Sequence, residues 1–113
     1  MPEITDEFIH GMLTKIKPYY IAVLKRGPRQ DQPDAQQIQW EHVRRNFALR
    51  KEGILNIVCP VTEEKNEVWG FGILNVASAE EAAKIMDGDP AVQAGRIVYE
   101  IYPCRSFPGD ELK

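Results

Sequence analysis

The chain has 113 residues, 43 % of them hydrophobic and 27 % charged, with a formal net charge of −3. This is the size and balance of one globular domain, able to bury roughly two thirds of its unfolded surface without metals or disulfides. The acidic balance excludes a general phosphate-backbone binder, and no apolar run is long enough to cross a bilayer, so neither nucleic acid nor membrane is an expected partner.

The first seven residues, Met1 to Glu7, are acidic where a signal peptide would be basic, so a cytoplasmic location is expected. Thr5 is a candidate N-cap, with Asp6 and Glu7 in the first turn where the helix dipole favours acids. Ile4, Phe8, Met12 and Ile16 recur every four residues, predicting an amphipathic helix from Asp6 to Lys15 that Pro18 stops. Tyr19 to Leu24 reads as a first strand. After a polar loop with Pro28 and Pro33, a second helix is predicted from Asp34 to Glu52, ending at Gly53. Its apolar residues fall on two sides: Ile38, His42 and Leu49 share one face with Arg45 beside them, and Trp40, Val43 and Phe47 form the other. A helix on a sheet needs only one such face. The second must be covered by the N-terminal helix of the same chain or by a partner subunit.

Ile54 to Cys59 is a second strand closed by Pro60, and Val68 to Val76 a third that contains Gly70 and Gly72. Ser78 to Glu81 forms a capping box for a helix through Met86, which Gly88 can end. Asp89-Pro90 starts a further single turn, and Ile97 to Tyr102 is a fourth strand. The chain thus divides into an N-terminal helix extension (1–16), an α+β domain (17–107) and a loose tail (108–113).

The order βαββαβ with an added N-terminal helix predicts a ferredoxin-like α+β sandwich. Right-handed crossovers place strands one and three in the centre and strands two and four at the edges. Cys59 and Cys104 would then lie on opposite edges, too far apart for a disulfide. Both faces of the first strand are apolar, yet helices cover only one side of such a sheet. Burial of the open face in a sheet-to-sheet homodimer is the simplest solution.

His42 is one of two histidines, the other being His10, and it sits on an apolar helix face where it needs a partner. Asp89, a short acid at a tight chain reversal, offers one. A histidine held by a carboxylate is a usable proton carrier near neutral pH. The alternative is a structural histidine and a helix-capping aspartate. Arg45 lies about one turn from His42 on the same side and could meet an anionic substrate, whereas Arg44, Arg50 and Lys51 read as a solvated face. Gly70-Phe71-Gly72 is too short for a dinucleotide loop and leads into strand, so no cofactor is expected. Neither cysteine lies in a CxxC pair or near a histidine, so no metal site is expected.

From Glu41 to Tyr102 the pattern His42, Leu49, Gly53, Leu55, Pro60, Gly70, Ser78-Ala79-Glu80-Glu81-Ala82, Asp89-Pro90 and Ala94-Gly95 resembles the YCII-related family of small dimeric α/β-barrel proteins. The resemblance implies a His42–Asp89 pair in a cleft between sheet and helices, with Pro60 and Phe71 beside a small-molecule ligand. It implies acid–base chemistry of lyase or isomerase type on a small organic acid or hydroxylated ring. One relative removes chloride from a chlorinated aromatic ring-cleavage precursor, and the wider superfamily includes muconolactone isomerases. The chain departs from the family pattern at Cys59, usually glycine, at Asn46, usually leucine, and at Phe71, often a small hydroxyl residue. A non-catalytic small-molecule-binding or accessory module in the same fold is the second reading, because fold resemblance alone is not evidence of activity.

Overall fold

The computed structural model describes residues 1–113. The chain runs α1 (Asp6–Leu13), β1 (Lys17–Arg26), α2 (Ala35–Lys51), β2 (Leu55–Pro60), β3 (Val68–Leu74), α3 (Ala79–Asp87), α4 (Pro90–Gln93) and β4 (Ile97–Ser106). The four strands form one antiparallel sheet in the order β2-β3-β1-β4, so β3 and β1 are central as the crossover rule requires. This is a ferredoxin-like α+β fold.

Local sequence sets most element ends. Thr5 accepts a hydrogen bond from the Phe8 amide at 3.2 Å and Ser78 accepts one from the Glu81 amide at 3.1 Å, which satisfies otherwise orphaned donors. Gly53, at φ +78°, turns the chain out of α2 in the left-handed region that glycine tolerates. α1 is shorter than the periodicity predicts, because Thr14 bonds back to the Gly11 carbonyl and β1 already starts at Lys17. Two strands are longer than expected. β1 takes in Pro18, where it pairs with Arg105 of β4 but β3 pairs only from Tyr20 onward. β4 continues through Pro103 to Ser106 because it is an edge strand, with one ladder to maintain.

Register divides the sheet into two faces. Tyr20, Ala22 and Leu24 pair across to Leu74, Gly72 and Gly70 and to Pro103, Ile101 and Tyr99. This face meets the helices, and the buried core is Ala22, Leu49, Leu55, Leu74, Ala82 and Met86. Ile21 and Val23 align with Ile73 and Phe71 on one side and Tyr102 and Glu100 on the other. No helix packs over this second face, and Phe71 and Tyr102 are exposed on it.

The N-terminal helix does not cover the second face of α2 within the chain. α1 buries none of its residues, and Trp40 and Phe47 remain 61 % and 63 % exposed. The outcome is an extended molecule, 57 × 30 × 22 Å with a radius of gyration of 16.5 Å. A compact chain of this length has about 13 Å.

Candidate active site

α2 and α4 are brought together at the end of the sheet where β1 leads into the loop before α2. Gly27 makes that approach possible: its amide donates to the Arg96 carbonyl at 2.8 Å, and a Cβ there would stand 2.3 Å from the Gly95 carbonyl oxygen. Gly95, at φ +77°, reverses the chain from α4 into β4. Asp89 is the N-cap of α4 with Pro90 in the first position, so the turn is fixed before its side chain reaches anything else.

The Asp89 carboxylate is 2 % exposed and has two partners. Oδ1 accepts from the Ala91 amide at 2.8 Å, and Oδ2 lies 2.6 Å from His42 Nδ1. An ionised carboxylate can only accept, so Nδ1 carries the proton of that bond and Nε2 presents a lone pair in the neutral ring. His42 is 7 % exposed and lies on the wall of a cavity of about 1180 Å³. The pair therefore has a buried carboxylate behind the ring and open space in front of it.

Residues from both faces of the sheet line that cavity. On the helix side it is lined by Leu24, His42, Val43, Asn46, Val58 and Pro60. On the bare face of the sheet it continues past Ile57, Cys59, Trp69, Phe71 and Ile73 to Phe107 and the residues at 109–112. The C-terminal segment, expected as a loose tail, thus flanks the cavity on the side away from the helices.

Pro60 and Phe71 both line the cavity, on opposite faces of the sheet. Arg45 does not line it. Its guanidinium lies over Gly88 at the end of α3, where a Cβ on the glycine would come within 2.6 Å of Nη2. Its place on the helix turns it toward α3.

Two residues that the sequence left outside the site belong to it. Asn46 places its side-chain nitrogen 3.3 Å from His42 Nε2, and Arg50 lines the cavity one turn further on. His42, Asn46 and Arg50 are spaced i, i+4, i+8 and so share a stripe of α2. That spacing is the signal that could have found them. Arg50 makes no ion pair within the chain.

The other ionisable groups do not form a second centre. No three His, Cys, Asp or Glu residues cluster as metal ligands. Cys104 is on the far edge strand from Cys59, and burial raises its thiol above its usual value, which makes it a poor nucleophile.

Among curated proteins none matches the chain in sequence. Among solved structures it is similar to the 5-chloro-2-hydroxyhydroquinone dehydrochlorinase TftG of Burkholderia phenoliruptrix AC1100, in a complex with 2,5-dihydroxybenzoquinone. The TM-score is 0.50 at 16 % identity, over 74 % of this chain and 90 % of that one. At that identity the likeness speaks for the fold. The model of the YCII-related domain matches residues 19–107, from the buried tyrosine of β1 to the residue after β4, and the chain belongs to the YCII-related family.

Proposed function

We propose that the protein is a cofactor-independent enzyme of lyase or isomerase type that moves a proton on a small hydroxylated ring or organic acid. The observation that carries this reading is the 2.6 Å bond between buried Asp89 and a histidine whose ring opens on a cavity. His42 Nε2 takes a proton from a substrate hydroxyl or from carbon next to a carbonyl, and the freed electron pair enters the conjugated system. In an isomerase the imidazolium returns the proton at another atom. In a lyase the electron pair expels a leaving group such as chloride, and the proton passes to solvent. Asp89 acts through His42, holding the Nδ1–H tautomer and stabilising the imidazolium. Pro60 lies against the substrate on the helix side with His42, and Phe71 bounds the part of the cavity on the bare face of the sheet. TftG, a dehydrochlorinase of a hydroxylated ring on a similar fold, supports the choice of substrate class.

One observation favours the second reading, a binding or accessory module. The Asn46 amide already sits 3.3 Å from Nε2, so the reactive nitrogen has a partner within the chain. The test is to follow chloride release from chlorinated hydroxyhydroquinones, and absorbance changes of unsaturated lactone acids, with wild type and His42→Gln. Turnover lost in the variant supports the enzyme. Binding of 2,5-dihydroxybenzoquinone without turnover of either class supports the module.

The bare sheet face is proposed as the seat of a homodimer. Ile21, Val23, Phe71, Ile73 and Tyr102 share it, and the chain exposes 8323 Å². A compact monomer of this mass exposes about 6,300 Å². Sedimentation equilibrium at micromolar concentration that returns only monomer would remove this assembly.

A further inference from the structure

α1 and the outer side of α2 are two apolar surfaces with nothing on them. α1 carries Phe8, Ile9, Met12 and Leu13 on one side, and Phe8 and Leu13 are each more than half exposed. A helix of eight residues is marginal in water and owes its persistence to what it packs against. Here it packs against no other element of the chain to any extent. On α2, Trp40, Val43 and Phe47 follow one another at i, i+3 and i+7. At 1.5 Å per residue, α1 is about 12 Å long and the stretch from Trp40 to Phe47 about 10 Å, so one fits the other.

Charge agrees with shape. The start of α1 holds Glu3, Asp6 and Glu7, whereas the exposed flank of α2 holds Arg50 and Lys51 beside the Arg44–Glu41 ion pair. Area agrees as well. The surface in excess of a compact monomer is roughly 2,000 Å², more than the roughly 800 Å² that a standard interface removes from each partner. A sheet-to-sheet contact alone leaves much of that surface wet.

We propose that α1 is an exchanged arm, which seats its Phe8–Leu13 side on the Trp40–Phe47 face of α2 in a second copy of this chain. Val43, Phe47 and Arg50 belong both to that seat and to the wall of the His42 cavity. The arm of one copy therefore closes the cavity of the other, and each site is complete only in the assembly. A two-fold arrangement satisfies both arms at once. The seat does not depend on the catalytic reading of His42.

The test uses the full chain with Trp69→Phe, which leaves Trp40 as its only tryptophan. Acrylamide quenching and emission wavelength are followed from tens of micromolar down to nanomolar, alongside the same chain with Phe8→Glu and Leu13→Glu. Trp40 is expected to be shielded and blue-shifted at high protein concentration and to become quenchable on dilution. The double variant should be quenchable throughout and should associate about tenfold more weakly or worse, as loss of anchoring apolar residues does. Circular dichroism confirms that the variant sheet is folded. Trp40 shielded at every concentration would mean that its own chain covers it, and shielding only on adding anionic lipid vesicles would mean that a membrane does. Either result overturns the exchanged arm, as does Trp40 that stays fully quenchable with association unchanged by the variants.

Discussion

Asp89 divides its carboxylate between His42 Nδ1, at 2.6 Å from Oδ2, and the Ala91 amide, at 2.8 Å from Oδ1. One side chain thus orients the ring and caps the turn that holds it. Substitutions at Asp89 separate these duties. Asp89→Asn retains an oxygen for the Ala91 amide but can turn an NH₂ toward Nδ1, which drives the ring proton to Nε2 and removes the lone pair. We expect turnover to fall at least about 100-fold, at the lower end of what acid–base catalysis contributes, with a small change in melting temperature. Asp89→Ala loses the cap as well, at a further cost of about 1 kcal/mol. Equal activity in wild type and Asp89→Asn would rule out the catalytic role.

His42→Ala is expected to destabilise the fold whether or not the residue is catalytic. It leaves a 2 % exposed carboxylate without its partner, and such losses cost about 3–5 kcal/mol. Urea midpoints for His42→Ala and the double variant His42→Ala/Asp89→Ala check this. The double variant should be the more stable of the two, because the stranded charge is gone.

Arg50 and Arg45 should behave differently toward anions. Arg50→Ala is expected to weaken binding of a carboxylate-bearing ring ligand by about tenfold, the loss of one charge-assisted hydrogen bond. Arg45→Ala should leave that affinity within twofold of wild type, since its guanidinium lies over Gly88 (about 0.4 kcal/mol at most). Isothermal titration with a small aromatic hydroxy acid distinguishes them. The reverse ranking would place the anion near α3.

Tyr99 supplies an alkaline signature. Its hydroxyl donates to Asp87 at 2.5 Å, and this bond, with burial and the Asp87 charge added, pushes the phenol up to about 12. The unfolded phenol ionises near 10. The folded state then binds the extra proton between these values, so this contribution to stability is complete below pH 10 and is lost as pH rises toward 12. Chemical denaturation across that window should show the decline, and Tyr99→Phe should make it shallower.

Two glycines near the site should respond oppositely to alanine. At Gly27 the new Cβ meets the backbone of Gly95 and Arg96, which cannot yield without moving α4, so Gly27→Ala should cost about 1–3 kcal/mol. At Gly88 it meets the far end of the Arg45 side chain, which can swing away, so Gly88→Ala should stay within about 0.5 kcal/mol. Thermal melts of the two variants are sufficient.

Caps, glycines and the alternation of apolar residues are local, and they made most of the fold legible. Thr5, Ser78 and Asp89 cap the helices expected of them, and the strand order follows from chain handedness. The ends of β1 and β4 were not legible, because Pro18 and Pro103 look like strand breakers until it is known where a neighbouring ladder is missing. Within the site, His42 and Asp89 could be singled out by residue type and element position. Asn46 and Arg50 share the helical stripe of His42, but each has a common surface explanation that only the direction of the helix face overrides.

Sequence alone determined the class of fold, from the order of elements, and the two apolar sides of α2, from spacing along one helix, and it offered a capping aspartate as partner for a scarce histidine. Tertiary structure decided that Arg45 turns to α3 while Arg50 turns to the cavity, and that α1 leaves the face of Trp40 and Phe47 bare. Residues five apart on a helix differ by about 140° in direction, and only the packing of α2 on its sheet fixes which of them meets the cavity.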